Sequence, residues 1–292
     1  MGATAALPGI KIENIAYATD FHETSRAALP YALSLARKYG SKVYLVHVVN
    51  LSPFSGPGPT NALRAIEAQA IREAHEAALE TNATFGTVPH ETIIRKGNIW
   101  KEIADVVEQK DIDLIVTGTH GRSGISKALM GSVAEKIFRH APCPVLTIGP
   151  KVHGDPDMFG DLHSILVATD FSPESLAALS WTLSLAQANR SRVYLLHVTP
   201  GEEGVMSSLK LALHGLIPAA AELGCAPKVI VEHGLPSEKI LDLAEELAAD
   251  LIVLGVKPPA LLEGTLPHQT MATASKVIGN ARCPVVTVRP HA

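Results

Sequence analysis

Ala18-Thr19-Asp20-Phe21 closes an apolar run that begins at Ile15, and the same four residues return 150 positions later as Ala168-Thr169-Asp170-Phe171. Val43-Tyr44-Leu45-Val46-His47-Val48 returns as Val193-Tyr194-Leu195-Leu196-His197-Val198, Leu114-Ile115-Val116 as Leu251-Ile252-Val253, and Cys143-Pro144-Val145 as Cys283-Pro284-Val285. Order is kept while the offset moves from 150 to 137 and back to 140, so the second copy has lost 13 residues in its middle and regained three. Self-similarity on this scale marks a duplicated domain. Length agrees, since 292 residues is the size of two ordinary domains. The expected domains are 1–150 and 161–292, joined by a hydrophilic, Gly- and Pro-containing linker from about Gly149 to Ser164.

Each copy alternates short β-rich runs with helical patterns. In the first, strands are predicted at Ile15–Ala18, Lys42–Val48, Thr92–Arg95, Leu114–Thr117 and Val145–Ile148, and helices at Thr24–Lys38, Asn61–Asn82, Ile99–Gln109 and Ser132–His140. Ser52 to Pro59 reads as a turn-rich loop. The long helix carries Ile66, Ala70, Ala74 and Ala77 on one side, which reads as a covering helix or, alternatively, as a groove for a partner. Such alternation calls for crossover units, hence an α/β fold of two tandem, doubly wound, mostly parallel five-stranded sheets with helices on both faces. Ligands of such sheets lie beyond the carboxyl ends of the strands where strand order reverses. Asp20 and Gly118, at the ends of strands one and four, mark that place. The last strands, Val145–Ile148 and Val285–Val288, are candidate edges, and an exposed edge invites pairing.

Composition narrows the function classes. Hydrophobic residues make up 47% and charged residues 18%, which supports a folded core and excludes a disordered chain. Net charge is −4 with no long basic stripe, so no nucleic-acid partner is expected. No apolar run approaches the ~18 residues of a membrane span, and the first ten residues lack a secretory pattern. Ala6 breaks the myristoylation pattern. The expected location is cytoplasmic, without membrane insertion. Three cysteines without C-x-x-C spacing argue against disulfides or structural zinc, and the 13 histidines follow no metal-binding pattern. Cys143 and Cys283 each precede a proline and a β-run, which points to packing rather than reactivity.

After strand four the first copy reads Gly118-Thr119-His120-Gly121-Arg122-Ser123-Gly124-Ile125-Ser126-Lys127-Ala128-Leu129-Met130-Gly131-Ser132, a G-x-x-G-x(9)-G-S spacing. Two readings are open: a glycine-rich turn leading into a capped helix, or a cradle for an anion. In the second, Gly118 and Gly121 let backbone approach a ligand. Gly131-Ser132 opens a helix whose free N–H groups bind phosphate, and Arg122 or Lys127 adds charge at the outer phosphates. Asp20 is either a helix-capping residue or an acceptor for a ribose hydroxyl, placed also to hold a divalent cation.

Taken together, these residues resemble the universal stress protein (UspA) family in its tandem form, over about Ile12–Gly149 and Ser164–Arg289. Gly118, Gly121, Gly131 and Ser132 match the pattern of its nucleotide-binding members, and the T-D-F, L-V-H-V and C-P-V-L runs are family-like as well. The resemblance implies the UspA (adenine nucleotide alpha hydrolase-like) fold, with ATP, accompanied by Mg²⁺, in the first half. By position Ala18, Thr19 and Asp20 flank adenine and ribose, with Asp20 also a contact for Mg²⁺. Val48 and the Gly97-Asn98-Ile99 turn close over the base. Gly118, His120, Gly121 and Arg122 line ribose and phosphates, and Gly131, Ser132 and Val133 cap the phosphates. It further implies that the last strands pair so that the two halves form a pseudo-twofold unit, that chains associate as homodimers, and that a protein partner receives the signal.

The second copy departs from this pattern. Asp170 and Gly255 survive, but Pro258 replaces the second glycine and Met271-Ala272 stand at the Gly131-Ser132 positions. Proline removes a donor and a φ option, Met271 adds a side chain where phosphate would lie, and Ala272 has no hydroxyl, so no high-affinity ATP site is expected there. The chain contains neither G-x-x-x-x-G-K-[ST] nor G-x-S-x-G. No residue set forms a phosphoryl-transfer clamp. The expectation is a nucleotide-dependent stress-response sensor with at most slow ATP hydrolysis. The alternatives are a slow ATPase or phosphotransfer enzyme, and an interaction scaffold with a structural nucleotide.

Overall fold

The computed structural model describes residues 9–50, 60–119, 132–200, 206–218, 221, 225, 227–257 and 269–290. The predicted loop at Ser52 to Pro59, together with His120 to Gly131 and Pro258, lies outside them. The first half contains β1 (Asn14–Ala18), α1 (Glu23–Arg26), α2 (Leu29–Tyr39), β2 (Lys42–Val49), α3 (Thr60–Asn82), β3 (His90–Lys96), α4 (Ile99–Gln109), β4 (Leu114–Gly118), α5 (Ser132–His140) and β5 (Val145–Ile148). After a 3-10 turn at Pro156–Met158, the second half follows with β6 (Ser164–Ala168), α6 (Pro173–Asn189), β7 (Arg192–Thr199), α7 (Met206–His214), β8 (Lys228–His233), α8 (Pro236–Glu246), β9 (Leu251–Gly255), α9 (Gln269–Asn280) and β10 (Val285–Val288).

The two halves are not two separate sheets. All ten strands form one, in the order β3-β2-β1-β4-β5-β10-β9-β6-β7-β8. Pairing is parallel within each half and antiparallel at β5–β10, where Thr147 faces Val285, Leu146 faces Val286 and Val145 faces Thr287. The strands expected as edges are therefore central: each would be an open edge in an isolated half, and the tandem chain closes one against the other. One apolar cluster lies on each face of the sheet. The first gathers residues of α2, α3, α6 and α7, the second residues of α4, α5, α8 and α9. Both clusters cross the seam.

The seam is not perfectly symmetric. A Cβ at Gly149 would lie 2.3 Å from Ile278 O, so bare backbone is required there. At the matching position the second half carries Arg289, whose guanidinium donates to Phe138 O (3.3 Å). Burial brings that guanidinium down to about 10.

Three local expectations change. The predicted helix Thr24–Lys38 is two helices, because Pro30 sits in the first turn of α2, where its ring has no N–H and clashes with a continuing upstream turn. The matching residue in the second half is Ser180, and α6 runs unbroken. On α3 the side turned inward passes through Ala74, Ala78 and Thr81, while Ile66 is exposed. The linker is not a solvated tether. Its Phe159 and Leu162 are buried in the first cluster, Phe159 packs edge-on against Tyr31, and Ser34 Oγ donates to Asp157 O (3.0 Å) while accepting from Gly160 N (2.8 Å). Among the described residues no helix is long and apolar enough to cross a membrane.

Candidate functional site

Strand order in the first half reverses between β1 and β4, and β1 pairs with β4 from Ile15↔Leu114 to Ala18↔Thr117. Their carboxyl ends thus open one crevice, flanked by β2 on the far side of β1. Ala18 and Val48 are buried in the second apolar cluster, and Ile99 and Trp100 pack against it from the start of α4. Ala18, Val48 and Ile99, three of the residues expected around a base, thus all belong to this cluster or pack against it. Gly97 turns the chain between β3 and α4 with φ 141°, a conformation that favours glycine, and its N–H donates to Val49 O (3.1 Å). Asn98 Oδ1 accepts from Lys101 N (3.1 Å) and caps α4.

At the end of β1 the chain folds back into α1 through a compact polar turn. Thr19 is buried, and its hydroxyl faces the protein rather than the crevice, accepting from Phe21 N (2.9 Å) and contacting Ser25 Oγ (3.0 Å). Asp20 Oδ1 accepts from His22 N (3.1 Å) and Ser25 Oγ (2.6 Å). Phe21 adopts φ 65°, left-handed for a bulky residue. That conformation is held by Arg26 Nε donating to Phe21 O (2.7 Å) and by the Phe21 ring against His47, with centroids 4.8 Å apart. His47 Nδ1 lies 2.8 Å from Thr19 O. A carbonyl only accepts, so that nitrogen carries the proton.

Gly118 ends β4 directly beneath α1. A Cβ there would meet Thr24 O at 2.3 Å and Ser25 Cα at 3.0 Å. The glycine is required by the chain's own packing, a reason that spacing does not reveal. The same is true of Gly255, whose Cβ would meet Glu174 C and Ser175 N at 2.4 Å. Its survival in the second half therefore needs no ligand.

The turn is also duplicated. Phe171 N donates to Thr169 Oγ1 (3.0 Å), Thr169 Oγ1 contacts Ser175 Oγ (2.9 Å), Phe171 has φ 63°, and His197 Nδ1 donates to Thr169 O (2.8 Å). Burial works to raise the Asp170 carboxyl, but hydrogen bonds from Ser172 and Ser175 outweigh it and hold the group below the usual value. Ser25, and the part that His47 plays in this turn, escaped the sequence reading. The signal was there, since Ser175 and His197 recur at the same offset of 150 as the T-D-F run.

His120, Gly121, Arg122 and Gly131 lie outside the described residues, as does the side chain of Ser132. Val133, in the first described turn of α5, is exposed. Gly118, where the glycine run begins, ends β4, and Ser132, where it closes, starts α5.

Residues 11–149 and again 162–289 match the universal stress protein family. The chain belongs to that family. A universal stress protein of Methanocaldococcus jannaschii is 33% identical over 139 residues, 47% of this chain and 81% of the relative. One from Mycolicibacterium smegmatis is 24% identical over 93% of this chain and 95% of its own length, so the tandem arrangement is shared end to end. Among solved structures, a universal stress protein from Archaeoglobus fulgidus covers 96% of this chain and 97% of its own with a TM-score of 0.72 at 21% identity, a likeness of fold. Another from the same species was solved in complex with dAMP (22% identity, 44% of this chain, 98% of that one, TM-score 0.36).

Proposed function

We propose that the first half of this universal stress protein binds an adenine nucleotide, ATP, and that the protein is a nucleotide-dependent regulator in a stress response rather than a catalyst. The observation that carries the reading is the position of the G-x-x-G-x(9)-G-S run, which joins β4 to α5 at the reversal of strand order. In this reading Ala18, Val48 and Ile99 wall the base, Asp20 meets the ribose, and Gly121, Arg122, Gly131 and Ser132 hold the phosphates. Thr19, Gly97, Asn98 and Gly118 contribute by shaping the turns that carry those groups. Among the described residues no group of three or more His, Cys, Asp or Glu side chains is placed to hold a metal. Mg²⁺ would therefore arrive with the triphosphate, leaving Asp20 Oδ2 for the ribose. Bound ground-state interactions of this kind confer affinity and do not by themselves yield turnover. The second half, with Pro258 and Met271 in place of the phosphate-binding glycines, serves as the structural partner across the β5–β10 seam.

The test is the nucleotide content and ATP-dependent melting of the purified chain beside Gly131→Met and Asp20→Ala. One adenine nucleotide per chain is expected, with loss in both variants. Saturation at 100 times Kd stabilises by about 2.7 kcal/mol, a rise of about 4 °C for a chain of this size. Two nucleotides per chain would overturn the assignment to the first half alone, and no nucleotide with no shift would overturn the reading as a whole.

A further inference from the structure

Ser25 is buried in α1, and its Oγ lies 2.6 Å from Asp20 Oδ1, 3.0 Å from Thr19 Oγ1 and 3.0 Å from His22 O. A serine hydroxyl has one proton, and the short contact to a carboxylate takes it. Thr19 must then donate to Ser25, while Thr19 Oγ1 accepts from Phe21 N. The hydrogen bonds run one way, from Phe21 N–H through the Thr19 and Ser25 hydroxyls to Asp20 Oδ1. His22 N adds a second donor to the same oxygen (3.1 Å). Oδ1 is thereby held by the turn, while Oδ2 lies 3.4 Å from His22 Nδ1 in a pair of partly exposed side chains.

The second half adds a donor to this arrangement. There Ser172 replaces His22, and both its N–H (3.0 Å) and its hydroxyl donate to Asp170 Oδ1 beside the hydrogen bond from Ser175, whose Oγ lies 3.0 Å from Ser172 O as Ser25 Oγ does from His22 O. His22 has no hydroxyl to lend, so in the first half Ser25 is the side chain that supplies the hydroxyl donor to Oδ1.

We infer that Ser25 is a positioning residue: by anchoring Asp20 Oδ1 it fixes the carboxylate so that Oδ2 accepts a hydroxyl of a sugar-bearing ligand. The inference rests on the nucleotide reading above. It is tested by calorimetric binding of ATP, 2′-deoxy-ATP and 3′-deoxy-ATP to wild type, Ser25→Ala, Asp20→Asn and the double variant, with ligand-free melting of each. Ser25→Ala is expected to weaken ATP binding about 10-fold, the effect of one charge-assisted hydrogen bond. That loss should shrink for the deoxy analogue lacking the contacted hydroxyl, and Ser25→Ala should add nothing once Asp20 is Asn. Ser25→Cys keeps the volume with a weak donor and should show the same pattern, which covers the case in which the alanine variant fails to fold. Equal losses for all three ligands, or additive losses in the double variant, would reduce Ser25 to a packing role and overturn the inference while leaving nucleotide binding intact. Wild type that binds no ATP would overturn both.

Discussion

The contact between Gly118 and α1 makes a prediction that separates packing from ligand binding. In Gly118→Ala the new Cβ would stand 2.3 Å from Thr24 O and 3.0 Å from Ser25 Cα. An ordinary carbon–oxygen contact needs about 1 Å more than the shorter of these. Both neighbours are backbone, so no side chain can swing away and α1 itself must move off the strand. Overpacking of this kind destabilises by about 3 kcal/mol, which for a chain of this length lowers the Tm by about 5 °C. Gly255→Ala, where the contacts are 2.4 Å to Glu174 C and Ser175 N, should do the same in a half for which no nucleotide is proposed. The assay is calorimetric melting of nucleotide-free protein, with circular dichroism to confirm the folded baseline. If both variants melt within about 1 °C of wild type, and Gly118→Ala shows only weakened ATP binding, the packing argument is refuted and the glycine belongs to the ligand.

Four further outcomes follow from particular contacts. Asp113 Oδ2 accepts from Glu13 N and Asn14 N (2.8 and 2.9 Å), and Asp250 Oδ2 from His163 N and Ser164 N (2.7 and 2.9 Å). Asp113→Ala and Asp250→Ala should each lose about 2 kcal/mol in urea titrations, by stranding two strand-entry donors. Ser180→Pro should break α6 where α2 is already interrupted and destabilise by about 3 kcal/mol or more, whereas Pro30→Ser should be tolerated; helicity and melting distinguish them. Burial pushes the Cys143 and Cys283 thiols up to about 12, so a thiol reagent at pH 8 should label neither until denaturant is added. Burial, then Arg289, Arg139 and Lys136, hold His140 below its ordinary 6.5. As pH falls through about 6.5 the unfolded state takes up this proton first, so stability present above that pH erodes below it. Fluorescence of Trp100, whose ring lies 5.5 Å from His140, should titrate with a midpoint under 6.5, and His140→Gln should abolish that step.

Repeat spacing made most of the fold legible: the offsets of 150, 137 and 140 located the paired strands of both halves. The joining of β5 to β10 was implied by the family resemblance, the residues themselves showing only that an open edge invites a partner. Pro30 was visible but read through, because the apolar spacing of Ala27, Ala28, Tyr31 and Leu35 continues across the break. Linker burial was hidden by composition: Phe159 and Leu162 are two apolar residues among many polar ones, and only tertiary contact shows them in the core. At the site, the position of Asp20 and Gly118 at the strand ends followed from topology. The inward turn of the Thr19 hydroxyl did not, because a buried hydroxyl and a ligand-facing one have the same sequence. Asn98 likewise caps α4, a duty its residue type suggested as readily as contact with a base.

The unequal seam has an evolutionary consequence. In a dimer of identical subunits every substitution at a twofold interface is made twice, and a change must suit both copies at once. An arginine in place of Gly149 would meet Ile278 O on one side of such a dimer and its mirror on the other. Once the two copies share one chain, each side of the junction mutates alone. Arg289 could be admitted against Phe138 O while Gly149 kept its bare approach to Ile278 O. Covalent fusion thus frees each copy to differ from the other while both go on building one sheet.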